Sequence, residues 1–404
     1  MNTLKREKKN IFKKAALLAL TLVIMFTASI SLSACDAGEI IGGETEDWGG
    51  YRKESFYLNT LCDITIYRID VDKAAKTGSS DEIKAFDEEA LRGEYDDIIS
   101  ACFKLISEYE KVLSKTVEGS DIDRINKSEG MPTMVEKETA EVIKKGLEFG
   151  ELSNGLFDIS IGRVSELWNF HGEGEDEATA PTEAELGKTT AHVDFRKVVL
   201  DEDSSYIKLR DSEMHLDLGG IAKGYIADRA ADFLRERGVV SGVVNLGGNI
   251  VAIGGKALSE SYGEDSSENM TAFNLGIVNP LSETRELLGI LPASDVTIVT
   301  SGTYERYVEK DGIRYHHILN PATGMPVDTD LVQVSIIAEA GHSVDCDGLS
   351  TACLALGVDE GTALIERLNS TEKYGKIEAI FLDSSGNVSF TNPETAFTLS
   401  RKDY

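Results

Sequence analysis

Three polar clusters interrupt the apolar periodicity of this chain, and each holds residue types that do chemistry. The first is Asp217-Leu-Gly-Gly-Ile-Ala-Lys223, where an acid and a lysine flank a glycine pair. Behind it runs an amphipathic segment whose apolar positions Ile221, Tyr225, Ile226, Phe233 and Leu234 share one helical face. A helix N-terminus after a glycine turn offers unpaired N–H groups and the positive end of a dipole, which suits a phosphate. A βαβ-like unit with tight turns and surface charges explains the same residues. The stretch holds neither Gly-x-Gly-x-x-Gly nor Gly-x4-Gly-Lys-Ser/Thr, so it is neither a Rossmann fingerprint nor a P-loop.

The second cluster, His316-His-Ile-Leu-Asn-Pro-Ala-Thr-Gly324, is a polar turn after a predicted strand. An imidazole titrates near neutrality, which makes His317 eligible as a general base; a hydrogen-bonded structural histidine is the other reading. The third cluster, Asp345-Cys-Asp-Gly-Leu-Ser-Thr351, opens a predicted helix on which Asp347 and Thr351 share a face. A carboxylate beside a hydroxyl suits Mg²⁺, which takes one or two protein carboxylates and fills its sphere with substrate phosphate and water. An acid stabilising the first turn of the helix is the alternative.

The elements that must position these clusters follow from pattern. Leu216 to Ile250 reads as strand, glycine turn, helix, strand and glycine turn, with Gly219-Gly220 and Gly247-Gly248 at the two strand ends. Before it come a strand over Cys62–Tyr67 opened by Leu58-Asn-Thr60, a helix over 82–113, a short segment from Gly119 to Asn126 and a helix over 137–152. Val198–Leu200 and Tyr206–Leu209 form a hairpin, and 172–187 and 259–269 are acidic loops. Strands follow at Phe273–Val278 and Thr297–Ser301, then a hairpin around Asp311-Gly312 and a strand over Val332–Ala338. A helix from Asp347 to about Asn369 and a hairpin of Ala379–Leu382 with Val388–Phe390 close the chain. This irregular interleaving predicts α+β rather than a doubly wound sheet.

The first fourteen residues hold six Lys/Arg and one acid, and 15–34 are apolar or small. That is the pattern of a signal peptide, with a membrane-spanning anchor as the alternative. Either places the remaining chain outside the cytoplasm, at a membrane. Residues 35–50 read as a flexible acidic tether, and folded structure is expected from Tyr51. Without the first 34 residues the formal net charge goes from −29 to −34, which excludes nucleic-acid binding. An anionic substrate must then be held by a local device. Cys62, Cys102, Cys346 and Cys353 match no zinc spacing and read as small core residues, their pairing open.

Together the clusters resemble the FAD:protein FMN transferases, the ApbE-type lipoproteins, over about Tyr51 to Leu368. The resemblance is carried by Ser120-x5-Asn126, Gly155-Leu-Phe-Asp158, Trp168, Asp217-Leu-Gly-Gly-Ile-Ala-Lys-Gly224, Asn245-Leu-Gly-Gly248, Thr300-Ser-Gly302, His317-Ile-Leu-Asn-Pro-x-Thr-Gly324 and Asp347-x3-Thr351. Leu32-Ser-Ala-Cys35 resembles a lipobox, implying lipidation of Cys35 and a domain from 51 to 404 held at the outer side of the cell membrane. The resemblance implies a single α+β catalytic unit, T-fold-related, with mixed or antiparallel sheets flanked by helices. It implies Mg²⁺-dependent transfer of FMN from FAD to a Thr/Ser hydroxyl of extracytoplasmic redox proteins bearing an Asp-x-x-Ser/Thr-x-x-Thr-type motif, with release of AMP. By position, Leu58, Leu156, Phe157, Asp158, Asp217, Lys223 and Ile318 would contact FAD. The Gly220 carbonyl, Asp347 and Thr351 would bind the metal, and His317 would be the base. FAD pyrophosphatase activity, or flavin binding without chemistry, are the rivals. Asn320-Pro-Ala stands where the family usually has Asp-Pro-Arg, and Leu58-Asn-Thr where it has Met-Gly-Thr.

Overall fold

The computed structural model describes residues 50–70, 88–170, 180–201, 205–257, 270–371 and 373–400. The leader, Cys35, the tether and the loop expected at 259–269 lie outside these residues. Eight strands form the main sheet: β1 (Tyr51–Tyr57), β2 (Thr60–Ile69), β3 (Val239–Leu246), β4 (Asn249–Ile253), β5 (Val296–Gly302), β6 (Leu331–Glu339), β7 (Glu378–Asp383) and β8 (Val388–Phe390). They stand in the sheet in chain order, and every neighbouring pair is antiparallel. Seven helices are described: α1 (Glu88–Leu113), α2 (Asp121–Asn126), α3 (Lys137–Leu152), α4 (Gly162–Trp168), α5 (Glu183–Thr190), α6 (Ala222–Glu236) and α7 (Ser343–Asn369).

Alternation along the strands feeds two cores. Ile64, Ile66, Val244, Val251, Val299, Val334 and Ile336 face α1, α6 and α7. Val243, Ala252, Ile298, Ile337 and Ile380 point the other way, onto a small antiparallel sheet of Phe273–Val278, Leu287–Ala293 and Thr398–Leu399. Covered on both faces, the inner strands read as near-continuous apolar runs. A third cluster of Val164, Trp168, Leu186, Val308 and Leu319 joins α4 and α5 to the Tyr307–His316 hairpin. Trp168 fixes that joint by donating its indole N–H to the Gly324 carbonyl at 2.7 Å.

Four expectations change. Leu216–Leu218 joins no sheet, although the Asp217 N–H donates to the Ile159 carbonyl at 2.8 Å and His215 makes a bridge to Ile161. The Leu287–Ala293 strand has no counterpart in the sequence reading. Thr182 and Glu185 form a reciprocal capping box that starts α5 inside the stretch expected as loop. Helix α7 begins at Ser343, a turn before Asp347, and breaks its regular dihedrals at Gly357 (φ 82°). Cys62, Cys102, Cys346 and Cys353 are all buried and unpaired. Among the described residues, no helix is long and apolar enough to cross a membrane.

Candidate active site

The site is built on the crossing of α6 and α7. Gly224 has no side chain, and a Cβ there would stand 2.2 Å from the Ser343 carbonyl oxygen and 2.7 Å from Cβ of Asp347. That close approach lets each helix cap the other. Gly224 N–H, in the first turn of α6, donates to Asp347 Oδ2 at 2.8 Å. Asp228, one turn further along α6, accepts from the Ser343 and Val344 N–H groups at the start of α7, both at 3.0 Å. Two helix N-termini thereby obtain carboxylates from outside their own segments. Burial pushes Asp228 up to about 6 in spite of those two bonds. The first-turn alternative for Asp347 is replaced by this one: it serves the N-terminus of α6, not of its own helix. Asp345 turns elsewhere, to Lys145 at 2.6 Å and His342 at 3.0 Å.

A cleft of about 430 Å³ opens above the crossing. Leu58, Leu156, Phe157, Asp158, Asp217, Gly220, Lys223, His317, Ile318, Asp347 and Thr351 all line it. The structure therefore brings together every site residue the sequence proposed within the described chain. Their roles in its architecture differ. Asp217 accepts from Lys115 at 2.9 Å, Ser165 at 2.7 Å and the Gly219 N–H at 2.8 Å. Burial alone would raise its pKa, but the Lys115 charge and these bonds hold it at about 2. The Asp158 carboxylate is spent inside the fold, accepting from Ser160 N–H and hydroxyl and from Phe195 N–H. What Asp158 offers the cleft is therefore its main chain. Leu58 and Asn59 both take φ 55°, an unusual backbone for these residue types, in the β1–β2 turn. Glu110 holds that turn by accepting the Leu58 N–H at 2.8 Å.

His317 is half-buried, and its Nδ1 lies 3.3 Å from the Arg306 carbonyl. That contact assigns the proton to Nδ1 and leaves the Nε2 lone pair free. Burial first, and then the Arg306 charge, push its pKa down to about 3, with Lys223 acting in the same direction. Among the described residues, neither Lys223 nor the Arg306 guanidinium has a hydrogen bond or ion pair, and both line the cleft. Two unpaired cations in so acidic a chain mark a place for an anion.

The donor set fits a hard cation. Gly220 lies where its Cβ would be 3.6 Å from Thr351 Oγ1. Among the described residues, nothing donates to the Gly220 carbonyl. Asp347 is 2 % exposed, and burial raises its pKa although Lys223 pulls it down. Beside it the fully buried Asn249 amide favours the charged form of the Asp347 carboxylate and lowers its pKa. Among the described residues no three His, Cys, Asp or Glu gather as a metal cluster.

Sequence reasoning missed Lys115, Ser165, Glu110 and Arg306. Lys115, Ser165 and Glu110 meet their partners 52 or more residues away, and Arg306 meets His317 only through its carbonyl, so no short motif announces any of them. Asn320 answers one of the two departures noted above. Its Oδ1 accepts the Ala322 N–H at 2.9 Å, a turn-forming bond that an aspartate makes equally well.

A model of the ApbE family matches residues 58–380. The FAD:protein FMN transferase of Treponema pallidum is 32% identical over 340 residues, 82% of this chain and 84% of the relative. That of Klebsiella pneumoniae is 32% identical over 300 residues, 74% of this chain and 85% of the relative. Among solved structures, the ApbE protein of Thermotoga maritima superposes with a TM-score of 0.67 at 27% identity, covering 84% of this chain and 96% of its own. The family model spans most of the chain and the fold superposes on a member, so the chain belongs to the ApbE family.

Proposed function

We propose that the cleft holds FAD with its pyrophosphate against Lys223 and Arg306, and that the chain transfers FMN from it to a hydroxyl of an acceptor protein. It is an FAD:protein FMN transferase. The observation that carries this reading is the pair of unpartnered cations beside a neutral histidine and a buried aspartate, in one cleft of a strongly acidic chain.

The acceptor hydroxyl oxygen attacks the phosphorus on the flavin side of the pyrophosphate. A P–O bond to the acceptor forms, the bridging P–O bond breaks, and AMP leaves with the electron pair. The hydroxyl proton passes to Nε2 of His317, while the Arg306 carbonyl keeps the ring in that tautomer. Lys223 and Arg306 neutralise the phosphates, and the glycine turn of residues 219–220 brings main chain close to them. The Gly220 carbonyl, Asp347 and Thr351 would hold Mg²⁺, which, when bound, withdraws charge from the phosphorus and steadies the leaving group. The sequence further supports residues 1–34 as a lipoprotein leader, Cys35 as the lipidated anchor, 35–50 as a tether and 51–404 as the catalytic unit outside the cytoplasm.

The test follows a peptide with the Asp-x-x-Ser/Thr-x-x-Thr motif by mass spectrometry, in the presence of the full chain, FAD and Mg²⁺. An FMN-sized gain lost with EDTA and in Asp347→Ala is expected. FMN and AMP formed without modified peptide would make the protein a pyrophosphatase. FAD bound but intact would leave binding alone.

A further inference from the structure

Gly220, Gly224 and Asp228 are spaced by four through the glycine turn and α6, and Ser343, Asp347 and Thr351 are spaced by four along α7. That spacing keeps residues on one helical face, so each triplet forms a stripe. The stripes run antiparallel and meet rung by rung. Asp228 accepts from the Ser343 N–H, and the Gly224 N–H donates to Asp347. Gly220 stands against Thr351, whose Oγ1 is 3.6 Å from where a Gly220 Cβ would be. That last rung, with Asp347 beside it, is the candidate metal site, and Asp228 holds the opposite end.

Both oxygens of Asp228 are committed there: Oδ1 accepts from Ser343 and Oδ2 from Val344, each at 3.0 Å. A two-pronged hold sets the rotation of the first turn of α7 as well as its position. Stability alone does not account for a charge at this place. Asp228 is buried, and burial and the like charge of Asp345 both oppose its ionisation. A neutral asparagine serves helix N-terminal amides about as well as an aspartate, without the cost of a buried charge.

We propose that Asp228 is a positioning residue of the metal site: by pinning the start of α7 to α6 it sets the register that carries Asp347 and Thr351 to the Gly220 carbonyl. The proposal rests on the metal assignment made above and adds to it a residue outside the cleft lining. One residue of slip turns a helix face by about 100°, enough to take both ligands away from the glycine turn.

The experiment measures Mg²⁺ affinity by calorimetry for the full chain, Asp228→Asn and Asp232→Asn, at about pH 8, above the pKa of Asp228. Urea unfolding without Mg²⁺ is followed alongside. Asp228→Asn keeps the side-chain shape but replaces one of the two acceptor oxygens by a donor. Asp232 lies on the same helix and pairs with Arg229 and Arg235, so its variant removes the same charge and leaves the Ser343 rung intact. The expected result is Mg²⁺ affinity about 10–100-fold lower in Asp228→Asn, with little change in the urea midpoint. Asp232→Asn is expected to match the unaltered protein in both. Coupling is reciprocal, so Mg²⁺ should also slow hydrogen exchange at the Ser343 and Val344 amides of the unaltered protein, a measurement that reports even where a variant folds poorly. Full Mg²⁺ affinity in Asp228→Asn, an equal loss in Asp232→Asn, or exchange at those amides that ignores Mg²⁺ overturns the positioning role and leaves the transferase reading intact. Unaltered protein that binds no Mg²⁺ overturns the metal assignment together with it.

Discussion

His317 carries the sharpest contradiction at the scale of single residues. A base whose pKa is pushed down to about 3 is available at every physiological pH but holds a proton poorly. The cause is desolvation first and then the charges of Arg306 and Lys223, which act on the same ring. A bound pyrophosphate places negative charge against those cations and cancels their effect, so His317 becomes more basic when the substrate is in place. The base form is present above its pKa and lost below it. The acid limb of kcat, which reports the complex, is therefore expected at higher pH than the acid limb of kcat/KM, which reports the free enzyme. His317→Ala is expected to lower kcat by about 10²–10⁴-fold with little change in FAD affinity. Coincident limbs would mean that the cations do not meet the phosphates. This pairing was half legible in the sequence. His317 and Lys223 sit in short motifs whose spacing carries chemistry, whereas Arg306 lies in a bend just before the Tyr307–Lys310 strand, in no motif.

At the scale of elements, Gly224 decides whether the candidate metal ligand is in place. Its missing side chain lets α6 and α7 cross closely enough for Asp347 to reach the Gly224 N–H. Gly224→Ala drives a methyl group into the Ser343 carbonyl and should cost about 1–3 kcal/mol of stability in urea unfolding. The same variant should bind Mg²⁺ more weakly by calorimetry, because Asp347 moves with α7. Retained affinity would show that the crossing does not place the carboxylate. The sequence showed both helices and both clusters, but not that Asp228 and Asp347 cap each other's segments, because capping across 115 and 123 residues leaves no local pattern. The Leu287–Ala293 strand escaped for another reason. Gly289 and Pro292 break its β signal, and Pro292 is tolerated because it lies exposed in a short sheet.

For the whole molecule the governing quantity is the formal charge of −29. FAD is an anion and meets repulsion at long range before Lys223 and Arg306 act at short range. Raising ionic strength from low values to about 0.15 M shortens the reach of that repulsion to about 8 Å. Stopped-flow association of FAD should therefore accelerate with salt. A fall in rate would mean that the cations of the cleft dominate the approach. Fold class was readable from interleaved hairpins and helices, and the single sheet in strict chain order was not. Long insertions, from α1 to α6, separate β2 from β3, and nothing in either strand names its neighbour.

That strand order sets a timetable. The chain makes β1, β2, the Asp217 turn and α6 well before Asp347, and α6 waits for a carboxylate 123 residues downstream to complete its N-terminus. A ribosome that has reached β5 has made Asp158, Asp217 and Lys223 of the cleft but not Arg306, His317 or Asp347. Any copy truncated before α7 lacks Asp347 and Thr351 and keeps only the Gly220 carbonyl of the three candidate metal ligands.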